Sequence, residues 1–258
     1  MRPLTRRRLV ARVRSMIARL LGVAVLGVTL VAAAETPVDA ARALVHRYHQ
    51  DPAAIDRARA LLEGALAQDA QVETMIMLSY VSFLWADVRA TTAEQKLEGY
   101  ARGRELGERA VELAPRNADA HLWYAINTAR WGQTKGIMRS LFLLPTVQRE
   151  IDTILTLNPR SVRGYALAGN VYMEVPRLAG GDREKAEEYF KKGLTIDPRF
   201  TVLRVDLARL YIGEGRYADA RHELTRVLDE RSPTIVADWT VKDVPRARAL
   251  LDSIRDKR

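Results

Sequence analysis

Small and apolar residues recur along this chain at one fixed spacing. In "AEEYFKKGLTIDPRF", residues 186–200, Ala186, Phe190 and Gly193 fall on one side of a helix and Pro198 follows, at separations of 4, 3 and 5. The same separations join Ala58, Leu62, Ala65 and Ala70, then Gly103, Gly107, Ala110 and Pro115, and then Val147, Ile151, Ile154 and Pro159. They recur at Ala220, Leu224, Val227 and Ser232, with Pro233 one place late. The small residue lets two helices approach, the larger one four places on fills the space beside it, and the proline ends the helix. Each copy therefore predicts the second helix of a repeated helix pair.

The first helix should follow each terminator. After Pro159 come Tyr165, Gly169 and Tyr172; after Pro198 come Leu207, Ala208 and Tyr211; after Ala70 come Ile76 and Phe83. The match after Pro115 is poorer, with His121, Ala125 and Thr128. Together the halves make the tetratricopeptide pattern, whose unit cannot bury its apolar face alone and so stacks into a solenoid. The fold expected is all-α, a tetratricopeptide-type helix-pair solenoid. It would occupy residues 35–258 as a single helical-repeat domain of about five helix pairs, capped by the amphipathic C-terminal segment "DVPRARALLDSIRDKR". Terminators lie 45, 44, 39 and 34 residues apart, against a plain unit of about 34. The surplus falls between the two helices of a pair each time, which would gather three insertions on one edge.

Charge narrows the picture once it is located. The formal charge is +9, but residues 1–34 hold seven Arg and no acid, which leaves the remainder near +2. The body has no general attraction for phosphate, so a nucleic-acid partner is not expected. Residues 1–34 run from a basic stretch through an apolar core to Ala32-Ala33-Ala34, the order of a cleaved export signal. An uncleaved membrane anchor is the alternative, and "TRRRLV" adds a twin-arginine reading. With export comes an expected periplasmic location. The chain has no Cys, so disulfides and lipid attachment at a signal-peptide cysteine are both excluded, and a lipoprotein is not expected.

Three further blocks extend beyond the bare repeat: "LWYAINTARWGQTKG" (122–136), "RLAGGDREKAEEYFKKGLTIDPRFTVLRVDLARLYI" (177–212) and "ADWTVKDVPRARALL" (237–251). With them the sequence resembles the T-component family of tripartite ATP-independent periplasmic (TRAP) transporters, over roughly residues 70–255. Related sequences occur in the eukaryotic regulator of microtubule dynamics proteins. The T-component resemblance implies a non-enzymatic periplasmic accessory protein that binds a periplasmic substrate-binding protein, self-assembles as a homo-oligomer, and offers an apolar passage to a hydrophobic small molecule. Family members are often lipoproteins, a feature the missing cysteine keeps from carrying over.

Catalytic chemistry is not visible. His46 and His49 could make half a metal site, but no second pair stands at metal-motif spacing. "LAGGD" lacks the lysine and strand of a phosphate loop; Gly180-Gly181 reads as a turn, with Asp182 capping the next helix. No cofactor or metal is expected. Binding residues are sought on the first helices instead, where positions 5, 9 and 12 of a unit face the concave side. These and their neighbours give a groove of Met77, Val81, Trp85, Leu122, Ile126, Asn170 and Met173, mostly apolar. Either the solenoid closes and they fill its core, or they line a passage. Trp123, Asn127 and Trp131 form a second stripe; Asn127 and Trp131 are added to the groove set. Ile137, Met138, Leu141 and Phe142 are too apolar for a solvated loop and mark the insertion edge as an interaction surface. The runner-up function is a general scaffold for envelope proteins, which a polar concave face would favour over an apolar passage.

Overall fold

A computed structural model describes residues 35–257 of the chain. Residues 1–34, the leader on which the export reading rests, lie outside the described residues. The described chain is built from antiparallel helix pairs: α1 Pro37–His46 with α2 Ala53–Gln68, α3 Val72–Val88 with α4 Ala93–Leu113, α5 Ala118–Lys135 with α6 Ile137–Leu157, α7 Val162–Glu174 with α8 Arg183–Ile196, and α9 Thr201–Gly213 with α10 Tyr217–Asp229. A short α11, Val236–Asp238, a π-helical turn, Trp239–Asp243, and α12, Val244–Ser253, complete it. It is an all-α tetratricopeptide-type solenoid.

The repeated spacing has a simple packing meaning. The first three members of each copy lie on α2, α4, α6, α8 and α10, and all but Ala65 are buried: Ala58 and Leu62, Gly103, Gly107 and Ala110, Val147, Ile151 and Ile154, Ala186, Phe190 and Gly193, Ala220, Leu224 and Val227. The small residues set the closest approaches. A Cβ on Gly107 would stand 2.7 Å from the Tyr124 Cα of α5, so this glycine lets α4 touch α5 backbone to backbone. Helix starts carry their own signals. Thr92 and Gln95 form a reciprocal capping box on α4, and Asn117, Ser161 and Asp182 cap α5, α7 and α8. Gly180, at φ 100°, makes the turn before Asp182.

The surplus residues take a different form from insertions in loops. In the second and third pairs they lengthen the helices to 17 and 21, and 18 and 21, residues, against 13 and 13 in the plain pair α9–α10. A single residue, Gly136 at φ 113°, reverses the chain between α5 and α6. In the fourth pair the surplus does form a loop, around a 3₁₀ turn at Arg177–Ala179. The capping segment also does more than cover the last pair. It crosses back to the first: Ala237 is buried in the same apolar cluster as Ala41, Val45, Tyr48 and Leu78. Tyr48 Oη donates to Asp238 Oδ1 at 2.6 Å, and Lys242 Nζ donates to Asp87 Oδ2 of α3 at 2.6 Å. The superhelix closes on itself around a hollow.

Candidate binding site

Two cavities of about 460 Å³ and about 680 Å³ occupy the hollow, and Arg163 of α7 lines both. Its guanidinium carbon stands 5.9 Å from the Tyr80 ring, 5.8 Å from Trp123 and 5.5 Å from Phe200. The ring faces attract the cation without neutralising it. Among the described residues Arg163 makes no ion pair. The aromatic wall is itself packed, with Tyr80 and Trp123 centroids 4.4 Å apart and Phe83 and Trp123 5.8 Å apart. Burial pushes the Tyr80 hydroxyl up to about 12, so it is a neutral hydrogen-bonding group at every physiological pH.

The larger cavity is lined by charge. Asp206, buried on α9, accepts from Asn170 Nδ2 at 2.8 Å and from Arg209 and Arg246, both at 3.3 Å. Arg209 also reaches Glu174 at 3.2 Å, and Gln133 donates to Glu174 at 2.6 Å. Burial penalises the Asp87 carboxylate, but Lys242 and Arg130 outweigh it and hold the group below its usual range. Lys242 is correspondingly held above the usual ammonium range: burial opposes its charge, and Asp87 and Asp238 win. Arg130 lines the same cavity with its side chain exposed. Asp87, Glu174 and Asp206 have cationic partners and Asp238 accepts from the Tyr48 hydroxyl, and Arg130 faces Asp87, Asp206 and Glu174, whereas Arg163 makes no ion pair among the described residues.

Of the groove residues expected from sequence, Met77 and Leu122 line the smaller cavity, and Ile126 and Asn170 the larger. The others are corrected. Val81 is fully buried in the core between the first pairs. Trp85 faces α2, donating through Nε1 to Asp56 at 2.9 Å under the Arg59 guanidinium at 4.8 Å. Met173 packs on the C-terminal core. Asn127 is a buried clasp whose amide donates to Ser79 O, Ser79 Oγ and Trp123 O at 2.9–3.2 Å. Trp131 sits at the outer edge among Arg104, Lys135 and Arg139. The mostly apolar face is corrected too: Arg163 and Arg130 occupy positions 2 and 13 of their units, and Lys242 and Arg246 come from the returning segment. The insertion residues divide. Ile137 and Leu141 line a separate apolar groove of about 270 Å³, closed on its other side by Val171, Val175 and Pro176, while Met138 and Phe142 point to solvent. His46 ends α1 and His49 lies in the turn beyond it, not on one helical face.

Fold and hollow together define a tetratricopeptide-type helical repeat, and residues 177–234 match the tetratricopeptide repeat family. A thermophilic tetratricopeptide-repeat protein of Thermus thermophilus shares the fold, with a TM-score of 0.63 and 22% identity over 84% of this chain and 100% of that one. Residues 39–184 match the family described as regulator of microtubule dynamics protein 1-3, and the chain belongs to that family. Regulator of microtubule dynamics protein 2 of Rattus norvegicus is 30% identical over 118 residues, 43% of this chain and 29% of its own length. Regulator of microtubule dynamics protein 3 of Xenopus laevis is 26% identical over 171 residues, 57% and 37%. The chain thus spans well under half the length of either relative. These matches overturn the assignment to the TRAP transporter T-components, and the transport role falls with it. The ground for expecting a periplasmic substrate-binding partner goes as well. The periplasmic location is corrected for the same reason, since the relatives that carry the match are animal proteins.

Proposed function

We infer that the chain is a non-enzymatic helical-repeat adaptor whose hollow holds an extended acidic segment of a partner protein. One observation carries this reading: Arg163 stands at the centre of the hollow, presented on three aromatic rings and without a carboxylate of its own. Arg130 beside the larger cavity adds a second cation, and Asn170 on its wall, whose Nδ2 is taken by Ala166 and Asp206, adds an amide oxygen for a main-chain N–H. A charged hollow of this kind binds by paired hydrogen bonds and ion pairs, with the aromatic wall supplying apolar contact. The family name suggests where to look, toward partners linked to microtubules.

The test is fluorescence anisotropy with a labelled peptide rich in Asp and Glu, against the same peptide with Asn and Gln. Arg163→Glu should lower affinity for the acidic peptide by about tenfold or more, because a charge-assisted contact becomes a repulsion. Equal binding of both peptides, or no effect of Arg163→Glu, would remove the hollow from this role. Microtubule co-pelleting of the protein and of Arg163→Glu then asks whether the partner belongs to the microtubule.

A further inference from the structure

We propose that the edge formed by the α5–α6 turn and the 3₁₀ turn after α7 docks on an anionic membrane surface. The four most exposed large apolar side chains among the described residues all belong to it: Ile137 at 63%, Met138 at 78%, Phe142 at 74% and Leu178, fully exposed. The two turns are neighbours, because Val175 and Pro176, which lead into Leu178, line the same groove as Ile137 and Leu141. Isolated exposed apolar residues need no account, but four gathered on one edge do.

Charge identifies the occupant. From Thr134 to Arg149 the chain carries Lys135, Arg139 and Arg149 and no acid, and Arg177 precedes Leu178 on the other turn. Of the nearby acids, Glu174 is engaged by Arg209 and Gln133, Glu150 is paired with His121, and Asp182 caps α8. The basic groups frame aromatic rings: Lys135 and Arg139 lie 5.7 Å and 5.8 Å from Trp131, and Arg139 lies 5.7 Å from Phe142. Protruding apolar tips, an aromatic belt and a rim of cations are what the interface of an anionic bilayer accepts. Pro145 inside α6 separates these first two turns from the remainder of the helix, which buries Val147, Ile151 and Ile154. Among the described residues no helix is long and apolar enough to cross a membrane.

The absence of Cys in the chain makes a site-specific test direct. Met138→Cys and Phe142→Cys, each labelled with a polarity-sensitive dye in the full chain, are compared with Thr225→Cys on the exposed face of α10. Vesicles of phosphatidylcholine with phosphatidylserine should brighten and blue-shift the dye at 138 and 142 and leave the dye at 225 unchanged. Vesicles of phosphatidylcholine alone should do much less. Adding Arg139→Glu should weaken the response about tenfold at low salt, since two charges change at the surface. No response at 138 and 142, or an equal response at 225, overturns the proposal. A response without vesicles that follows protein concentration also overturns it, by assigning the edge to a second copy of the chain.

Discussion

Single residues in this molecule are constrained by how closely helices approach. Gly103 lies directly under Asn127: a Cβ there would stand 2.4 Å from Asn127 Oδ1, in the clasp that also uses Ser79. Gly103→Ala should therefore cost about 1–3 kcal/mol, by overpacking and by breaking a buried polar contact. Gly64, inside α2, meets nothing within 4 Å, and Gly64→Ala should stabilise by about 0.5–1 kcal/mol through helix propensity alone. Urea unfolding of the two variants checks both signs. Asp243 gives the molecule a pH response. It is almost fully buried, accepts from Thr201 Oγ1 at 2.7 Å, and has Asp238, Lys242 and Arg246 around it. Burial first, and Asp238 in addition, push its carboxyl up from 3.8 to about 6. A raised pKa in the folded state means that this stabilisation is complete below about pH 4 and lost as pH rises through about 6. Between pH 7 and pH 4 the group should add on the order of 3 kcal/mol to stability. Asp243→Asn should flatten that part of the curve, read from urea midpoints against pH.

At the level of elements, much was legible from sequence because the second helix of each pair buries the same three positions. Leu62, Phe190 and Leu224 are all fully inaccessible, and burial of this kind leaves a periodic trace. Phe190 fills the place a side chain on Gly169 would take, at 2.4 Å. Phe190→Ala should thus cost about 3–5 kcal/mol, seen as a lower Tm. The longer helices were not legible as helices. A repeat of fixed length turns any surplus into an insertion, although the Thr92–Gln95 capping box already marked where α4 begins. The hollow was legible only in part. Met77, Leu122, Ile126 and Asn170 follow from unit positions, but Lys242 and Arg246 arrive from a segment whose place depends on closure, which leaves no local pattern. The π-helical turn at Trp239–Asp243, which places Asp243 against Thr201, has no periodic signature either. Ile126, half-buried on the wall of a cavity lined by charged side chains, is better suited to a polar residue than an apolar core position would be. Ile126→Glu should lower stability by no more than about 2 kcal/mol, a result that calorimetry would distinguish from the larger loss of a core substitution.

For the molecule as a whole, the closing contacts replace a linear array with a ring. An open array of repeats frays from its ends. Here the first and last segments share one cluster through Ala237 and Tyr48. Tyr48→Phe, which removes the Asp238 hydrogen bond, should raise hydrogen exchange in α1 and in residues 236–243 together, while α6 and α7 remain unchanged. Loss of protection in only one of the two segments would mean that they open independently. The contact spans 190 positions of sequence, and that distance is also a delay. Chains emerge at about 5–20 residues per second, so α1 leaves the ribosome roughly 10–40 s before the residues that will roof it exist. For that interval the patch of the first pair that Ala237 and Asp238 will cover stays open on a nascent chain, available to a chaperone or to a partner that arrives during synthesis.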